Sequence, residues 1–430
     1  MKNMPGKMIV IPRKAGMNTD INAFFLPDEK HDETLVEHLR NMASIKNVLH
    51  VIALPNFSPD HNFVSGIVAG AQNVIIPGII GGDINAGIRL FSVNMKTSEI
   101  AVRQRNSALK KVLQSVEHHE GIPLHEGDMR LILELGISAI SDVSNRSKDI
   151  SACRYPHDEE ADMKKTPDNG SLVASSASIP HRAIENALNK TGTIGGSGHF
   201  FDLLSVEGIF DEKISTELGI SKNQLMIAFS SGSNLIGHYV AEEYIRIARE
   251  KNDDNPPERN LACLHQESPE AEAYLDAYTC ASNFAYANRQ IISSILRSEI
   301  RKTLGNIAIT LLFDIPYNTV SNESFPQKKL WMHRRGAARI EPPDDKGGHG
   351  TPFFIHGRCG GASYILVAGK NSRLTMNSLN INIGQKDYVQ QPSVSKKQLP
   401  YRNIDEIAHF LVDTGIADIV ARLKSLTPVE

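Results

Sequence analysis

Residues 268–305 read SPEAEAYLDAYTCASNFAYANRQIISSILRSEIRKTLG, and the architecture is best read outward from this stretch. Ser268 can accept the unbonded amide hydrogens of a first helical turn, Pro269 suits the first helical position, and Gly305 can take the left-handed conformation that ends a helix. Between them Tyr274, Ala277, Ala281, Phe284, Ala285, Ile291, Ile292, Ile295, Leu296 and Ile300 recur at helical spacing. The pattern predicts one long, partly buried helix over 268–304. Its inner part carries Asn283, Asn288 and Arg289, which either line a cavity or bond to neighbouring loops.

Downstream, Ile307–Asp314 reads as a strand, residues 328–339 are basic, and Phe353–Ile355 and Ser363–Val367 read as two more strands. A last amphipathic helix is expected over Ile404–Leu426. Upstream, 31–47 and 98–118 look like amphipathic helices, while Val48–Pro55, Asn73–Pro77 and Ile88–Met95 read as strands linked by glycine-rich turns. The stretch 141–180, rich in Ser, Asp and Lys, reads as a surface excursion, and Lys251–Asn260 as a loop. The mixture suggests an α/β (α+β) core; 430 residues can make one large domain or two in contact.

With 41% hydrophobic and 22% charged residues the chain has the composition of a globular protein. The apolar run Met8–Pro12 is too short for a signal core, and no stretch reaches the roughly 20 apolar residues of a membrane span, so a soluble, cytoplasmic protein is expected. Cys153, Cys263, Cys280 and Cys359 form no C-x-x-C pair, which argues against a zinc site or a disulfide framework. A net charge of −3 makes no global case for nucleic-acid binding; such a case must be local.

Four phrases carry candidate chemistry. Residues 81–90, GGDINAGIRL, put Asp83 on a tight turn feeding a strand, either as a metal ligand or as a turn residue bonding its own backbone. Residues 192–200, GTIGGSGHF, form a glycine-rich loop with His199 at its exit, able to present backbone N–H groups to phosphate but matching neither the P-loop nor the dinucleotide fingerprint. Residues 230–238, SSGSNLIGH, run from a strand into a helix start, a geometry that accepts anions, with no nucleophile elbow. Lys328, Lys329, Arg334, Arg335 and Arg339, with Trp331 and His333 among them, can hold nucleic-acid phosphate or form a solvated face.

Taken together and in this order, the phrases resemble the RtcB family of RNA ligases. The resemblance starts at Val51-Ile52-Ala53-Leu54-Pro55 and runs through the Asp83, His199 and Ser231 phrases. It continues through Asn283 to Gln290, Asp314-Ile315-Pro316-Tyr317-Asn318, His333 to Ala337 and Gly360 to Tyr364, ending at Gly415-Ile416-Ala417. It implies one large domain over 1–430, with mixed sheets and flanking helices around a central cleft. It also implies the joining of RNA 3′-phosphate or 2′,3′-cyclic-phosphate ends to 5′-hydroxyl ends with GTP, manganese and a guanylylated histidine.

The site departs from that pattern. Where the family has metal-binding cysteine and two histidines, this chain has Ala86, Ser230 and Tyr317, which leaves one metal site without a soft or imidazole donor. Asp83 and His199 remain as a remnant for one weakly held manganese or magnesium ion. Gly198 replaces an asparagine, Asn56 and Ser58 replace an aspartate and a histidine, and the nucleophile's place falls near Ile381, so GTP has no evident carrier. The resemblance assigns Gly198, Asp202, Asn288, Arg289, His333, Arg334 and Arg335 to nucleotide or RNA binding. The expectation is a member that binds RNA ends or a nucleotide without ligating. The alternatives are an altered enzyme using His61, His238 or His333 as base, a nucleophile relocated to His349 or His356, or a non-catalytic partner of a true ligase or of its own copy; no membrane partner is expected.

Overall fold

The computed structural model of the chain describes residues 7–26, 32–60, 63–99, 120–196, 198–251, 258–325, 327–357, 361–381 and 403–426. Its strands, in chain order, are β1 (Lys7–Ile11), β2 (Ile21–Phe25), β3 (Val48–Asp60), β4 (Phe63–Ala71), β5 (Val74–Ile75), β6 (Gly87–Lys96), β7 (Phe201–Ile209), β8 (Gln224–Ser231), β9 (Leu264–His265), β10 (Ile309–Phe325), β11 (Lys328–Arg339), β12 (Pro352–Ile355), β13 (Ala362–Ala368), β14 (Ser378–Asn380) and β15 (Ala417–Ser425). Thirteen of these form one mixed sheet, ordered β1-β2-β3-β4-β11-β10-β6-β8-β7-β15-β13-β12, with β14 added on β11. A small ladder, β5 with β9, stands apart. This is the α/β architecture that the sequence implies.

β10 joins the two halves of the sheet. Its first part pairs with β6 and its second with β11, and the register shifts between Tyr317 and Thr319. Asn318 sits at that break with φ 56°, a left-handed conformation that asparagine tolerates better than most residues. The bulge lies beside the Asp83 turn, which Asn318 contacts directly.

The long helix spans Pro269–Leu304. Ser268 caps it by accepting from the Ala271 N–H, Glu270 and Glu272 lie in its first turn, Arg301 and Lys302 lie in its last, and Gly305 ends it at φ 89°. It is more buried than its amphipathic pattern suggests: every residue from Cys280 to Ser298 is inside. One core cluster wraps this helix against the sheet and the helices around it, a second fills the other side of the sheet, and a third lies under the helix Glu33–Ala43.

Most residues of 141–180 are exposed or partly exposed, and the stretch carries the short helices Lys148–Cys153 and Pro156–Met163. It is anchored through Asp162, only 1% exposed, which receives Arg297 Nη1 at 2.5 Å and Nη2 at 2.7 Å. Two sequence expectations are corrected. The C-terminal helix stops at Asp413; Gly415 at φ 68° reverses the chain and Ala417–Ser425 becomes β15, because its aliphatic residues pair with β7 and β13. Of Asn73–Pro77 only Val74–Ile75 is strand, and Pro77 opens a short helix to Ile80. The expected helix over 98–118 lies almost wholly outside the described residues, as does most of the 251–260 loop. No helix among the described residues is long and apolar enough to cross a membrane.

Candidate functional site

The Asp83 turn is held from three directions. Asn318 Nδ2 donates to Asp83 O at 3.0 Å, the Asn85 N–H donates to Asn318 O at 3.1 Å, and Arg289 Nη1 donates to Asn85 O at 2.8 Å. The β10 bulge and the long helix therefore fix the backbone, and the carboxylate is left to point elsewhere. It lies over Gly232, where a Cβ would come within 2.0 Å of Oδ1, and its Oδ2 is 3.5 Å from His199 Nε2.

His199 leaves the glycine-rich loop on a path set by two polar residues. Asn288 accepts from the Gly192 N–H at 2.7 Å and donates to Thr193 O at 2.9 Å, while Ser231 Oγ donates toward Thr193 O and Ile194 O. Ser230 Oγ accepts the Phe200 N–H at 3.0 Å and lies 3.3 Å from His199 Nδ1, so that with the ring proton on Nε2, facing Asp83, the hydroxyl donates to Nδ1. The Asp83 side chain is 38% exposed and that of His199 8%, so the pair sits at an opening rather than in the core.

Two donors about 2.1 Å from one ion lie roughly 3.0–3.4 Å apart at right-angled or tetrahedral geometry, so a 3.5 Å pair suits a single divalent ion that replaces the Nε2 proton. A two-ion centre does not fit. Ala86 is a buried methyl, Ser230 offers a hydroxyl already engaged, Tyr317 is 5% exposed, and no group of three or more His, Cys, Asp or Glu residues able to hold a metal occurs among the described residues. At the expected nucleophile position Ile381 is 2% exposed, its N–H donating to Gly336 O.

The residues assigned to nucleotide or RNA binding divide sharply. Asn288 secures the glycine-rich loop. Arg289 is wholly buried against Asp314, with Nε 3.1 Å from Oδ1. His333 is buried, accepts the Ile76 N–H through Nε2 at 2.9 Å, and is pushed down to about 4 by burial. Arg334 is buried on Glu323, with Nη1 to Oε1 2.5 Å. In the structure all four bond to neighbouring parts of the chain. Arg335 is partly open; it pairs with Asp60 at 2.7 Å and its guanidinium lies along Gly81, next to the Asp83 turn. Gly198, at φ 119°, precedes His199. Asp202 is buried and paired with His356 and Ser425.

Of the other histidines, His238 is exposed and packs along Gly82, His349 Nδ1 donates to Gly350 O, and His61 lies outside the described residues. Sequence reading missed two features. One is a buried polar chain in which Arg89 reaches Asp314, Gln290 and Ser293, and Gln290 and Arg297 reach Asp162. The other is the His356–Asp202 pair, 154 residues apart in sequence. Neither leaves a local pattern; only arginines set in apolar runs hint at the first.

A thirteen-stranded mixed sheet with a bulge at Asn318, beside a turn that carries the carboxylate of a carboxylate–imidazole pair, defines an α/β protein. The family model of tRNA-splicing ligase RtcB matches residues 38–381, and the chain belongs to that family. A tRNA-splicing ligase RtcB of Nanoarchaeum equitans is 27% identical over 476 residues, covering 98% of this chain and 97% of that protein. One of Aeropyrum pernix is 27% identical, covering 94% and 92%, and an RNA-splicing ligase RtcB homolog 1 of Entamoeba dispar is 26% identical, covering 92% and 81%.

Proposed function

We propose that this chain binds phosphate-terminated RNA ends through at most one divalent ion, held by Asp83 and His199, and does not carry out guanylate-dependent ligation. The observation that carries the reading is the composition of the opening itself. One carboxylate and one imidazole stand at shared-ion distance, while Ala86, Ser230, Tyr317 and Ile381 occupy the places of the family's other donors and its nucleophile. A manganese or magnesium ion bound there would supply positive charge and open coordination positions for terminal phosphate oxygens. The protein's part is to hold the two donors, keep the Nδ1 side of His199 engaged by Ser230, and leave the Asp83 side open. The names of the relatives point to RNA as the partner.

The test compares RNA oligonucleotides ending in 3′-phosphate and 3′-hydroxyl by fluorescence anisotropy, with and without manganese, alongside incubation with α-labelled GTP. Manganese-dependent preference for the 3′-phosphate end, abolished in Asp83→Asn, and no denaturation-resistant label on the protein are expected. Indifference to both manganese and end chemistry would remove the binding claim, and a covalent guanylate would remove the claim about ligation.

A further inference from the structure

Close to His199 the chain places a second imidazole in surroundings that suit a different ring. His356 lies flat on Phe200, with centroids 3.9 Å apart and planes 3° from parallel. Phe354 closes the group at 6.0 Å and 35°. His356 Nε2 is 2.9 Å from Asp202 Oδ2; a carboxylate only accepts, so the ring N–H donates. Ser425 Oγ donates to the other oxygen at 2.7 Å.

A planar heterocycle stacked face-on against an aromatic side chain, its edge N–H bonded to a carboxylate, is the arrangement by which proteins seize a nucleobase. Stacking accepts any base, but the carboxylate selects. Guanine presents two adjacent donors, N1–H and the exocyclic amine, to a pair of acceptor oxygens. Adenine and cytosine each set a ring acceptor beside their amine, and uracil's one N–H lies between two carbonyls.

We propose that His356 occupies, from within the chain, the place where a guanine base would stack on Phe200 and bond to Asp202, so that the folded protein shuts guanine nucleotides out of that place. Phe200 is only partly buried and follows His199 directly, which puts the filled subsite at the edge of the opening already described. The inference goes beyond the ion-binding reading and is independent of it: no donor of the Asp83–His199 pair takes part.

Titration calorimetry with GMP and AMP on the full chain provides the test. His356→Gly is expected to bind GMP at least tenfold more tightly than the wild type, to prefer GMP over AMP, and to lose GMP when free imidazole is added as a competitor. Asp202→Asn in the His356→Gly background is expected to erase the preference. Equal GMP affinity in the wild type and His356→Gly, or equal binding of GMP and AMP by the variant, overturns the proposal. If His356→Gly does not fold, histidine-labelled wild-type protein is titrated with GMP by nitrogen NMR. An unchanged His356 signal without saturable binding supports occlusion, and saturable binding overturns it. Manganese and RNA are absent throughout, so failure of the ion-binding reading leaves each of these results unaltered.

Discussion

Two polar regions lie a few residues apart along the same elements, and they are built to different standards. In the interior, Asp314 takes Arg89 Nε at 2.8 Å and Arg289 Nε at 3.1 Å, with all three side chains fully buried, and Asp162, Gln290 and Arg297 extend the chain. At the opening, Asp83 and His199 are 3.5 Å apart, and His199 is 3.3 Å from Ser230. Burying charges is costly unless they are closely paired, and here both guanidiniums face Asp314, although Arg289 Nη2 has no hydrogen-bond partner among the described residues. A loose pair beside solvent is tolerated cheaply and remains available to an ion. The buried arginines are thus engaged within the chain, whereas the carboxylate–imidazole pair at the opening is held more loosely.

The largest effect should come from breaking the interior. Asp314→Ala leaves two buried guanidinium groups uncompensated, and a loss of about 3–5 kcal/mol is expected in chemical denaturation. A loss below about 1 kcal/mol would mean that the interior network is no tighter in energy than a surface pair.

His333 gives the next effect. Burial holds it at about 4 against 6.5 in the unfolded chain, so the folded state keeps it neutral while the unfolded state takes up a proton between those values. Stability from this group is present above pH 6.5 and is lost as pH falls toward 4, by about 3 kcal/mol in all. His333→Asn should flatten that part of the stability profile, read by denaturation at a series of pH values; an unchanged slope would assign it to other groups.

Removing the long helix's cap is a smaller perturbation. Ser268→Ala should cost about 1 kcal/mol, measured by the same denaturation. Asp83→Asn should change stability by no more than about 0.5 kcal/mol while removing any manganese-dependent RNA affinity. A large destabilisation there would merge the two regions into one structural network and end the contrast.

Much of the fold was legible because its signals are local. Ser268, Pro269 and Gly305 mark the long helix by their own conformational preferences, and the short apolar runs Val48–Pro55 and Ile88–Met95, set between turns, mark strands. The switch from helix to strand after Asp413 was missed because Ala417–Ser425 fits either period until β7 and β13 present edges to pair with. The inward anchor of the 141–180 stretch was not legible, because Asp162 is answered by Arg297, more than a hundred residues away.

At the site, the sequence by itself determined which atoms are available: a carboxylate at 83, an imidazole at 199, a methyl at 86, a hydroxyl at 230 and no histidine at 381. Only the tertiary structure decided what the remaining polar groups do. Arg289, His333 and Arg334 became internal braces and His356 closed on Asp202, because hydrogen bonding and burial act between residues that the chain brings together from far apart, and no local pattern records which partner each will meet.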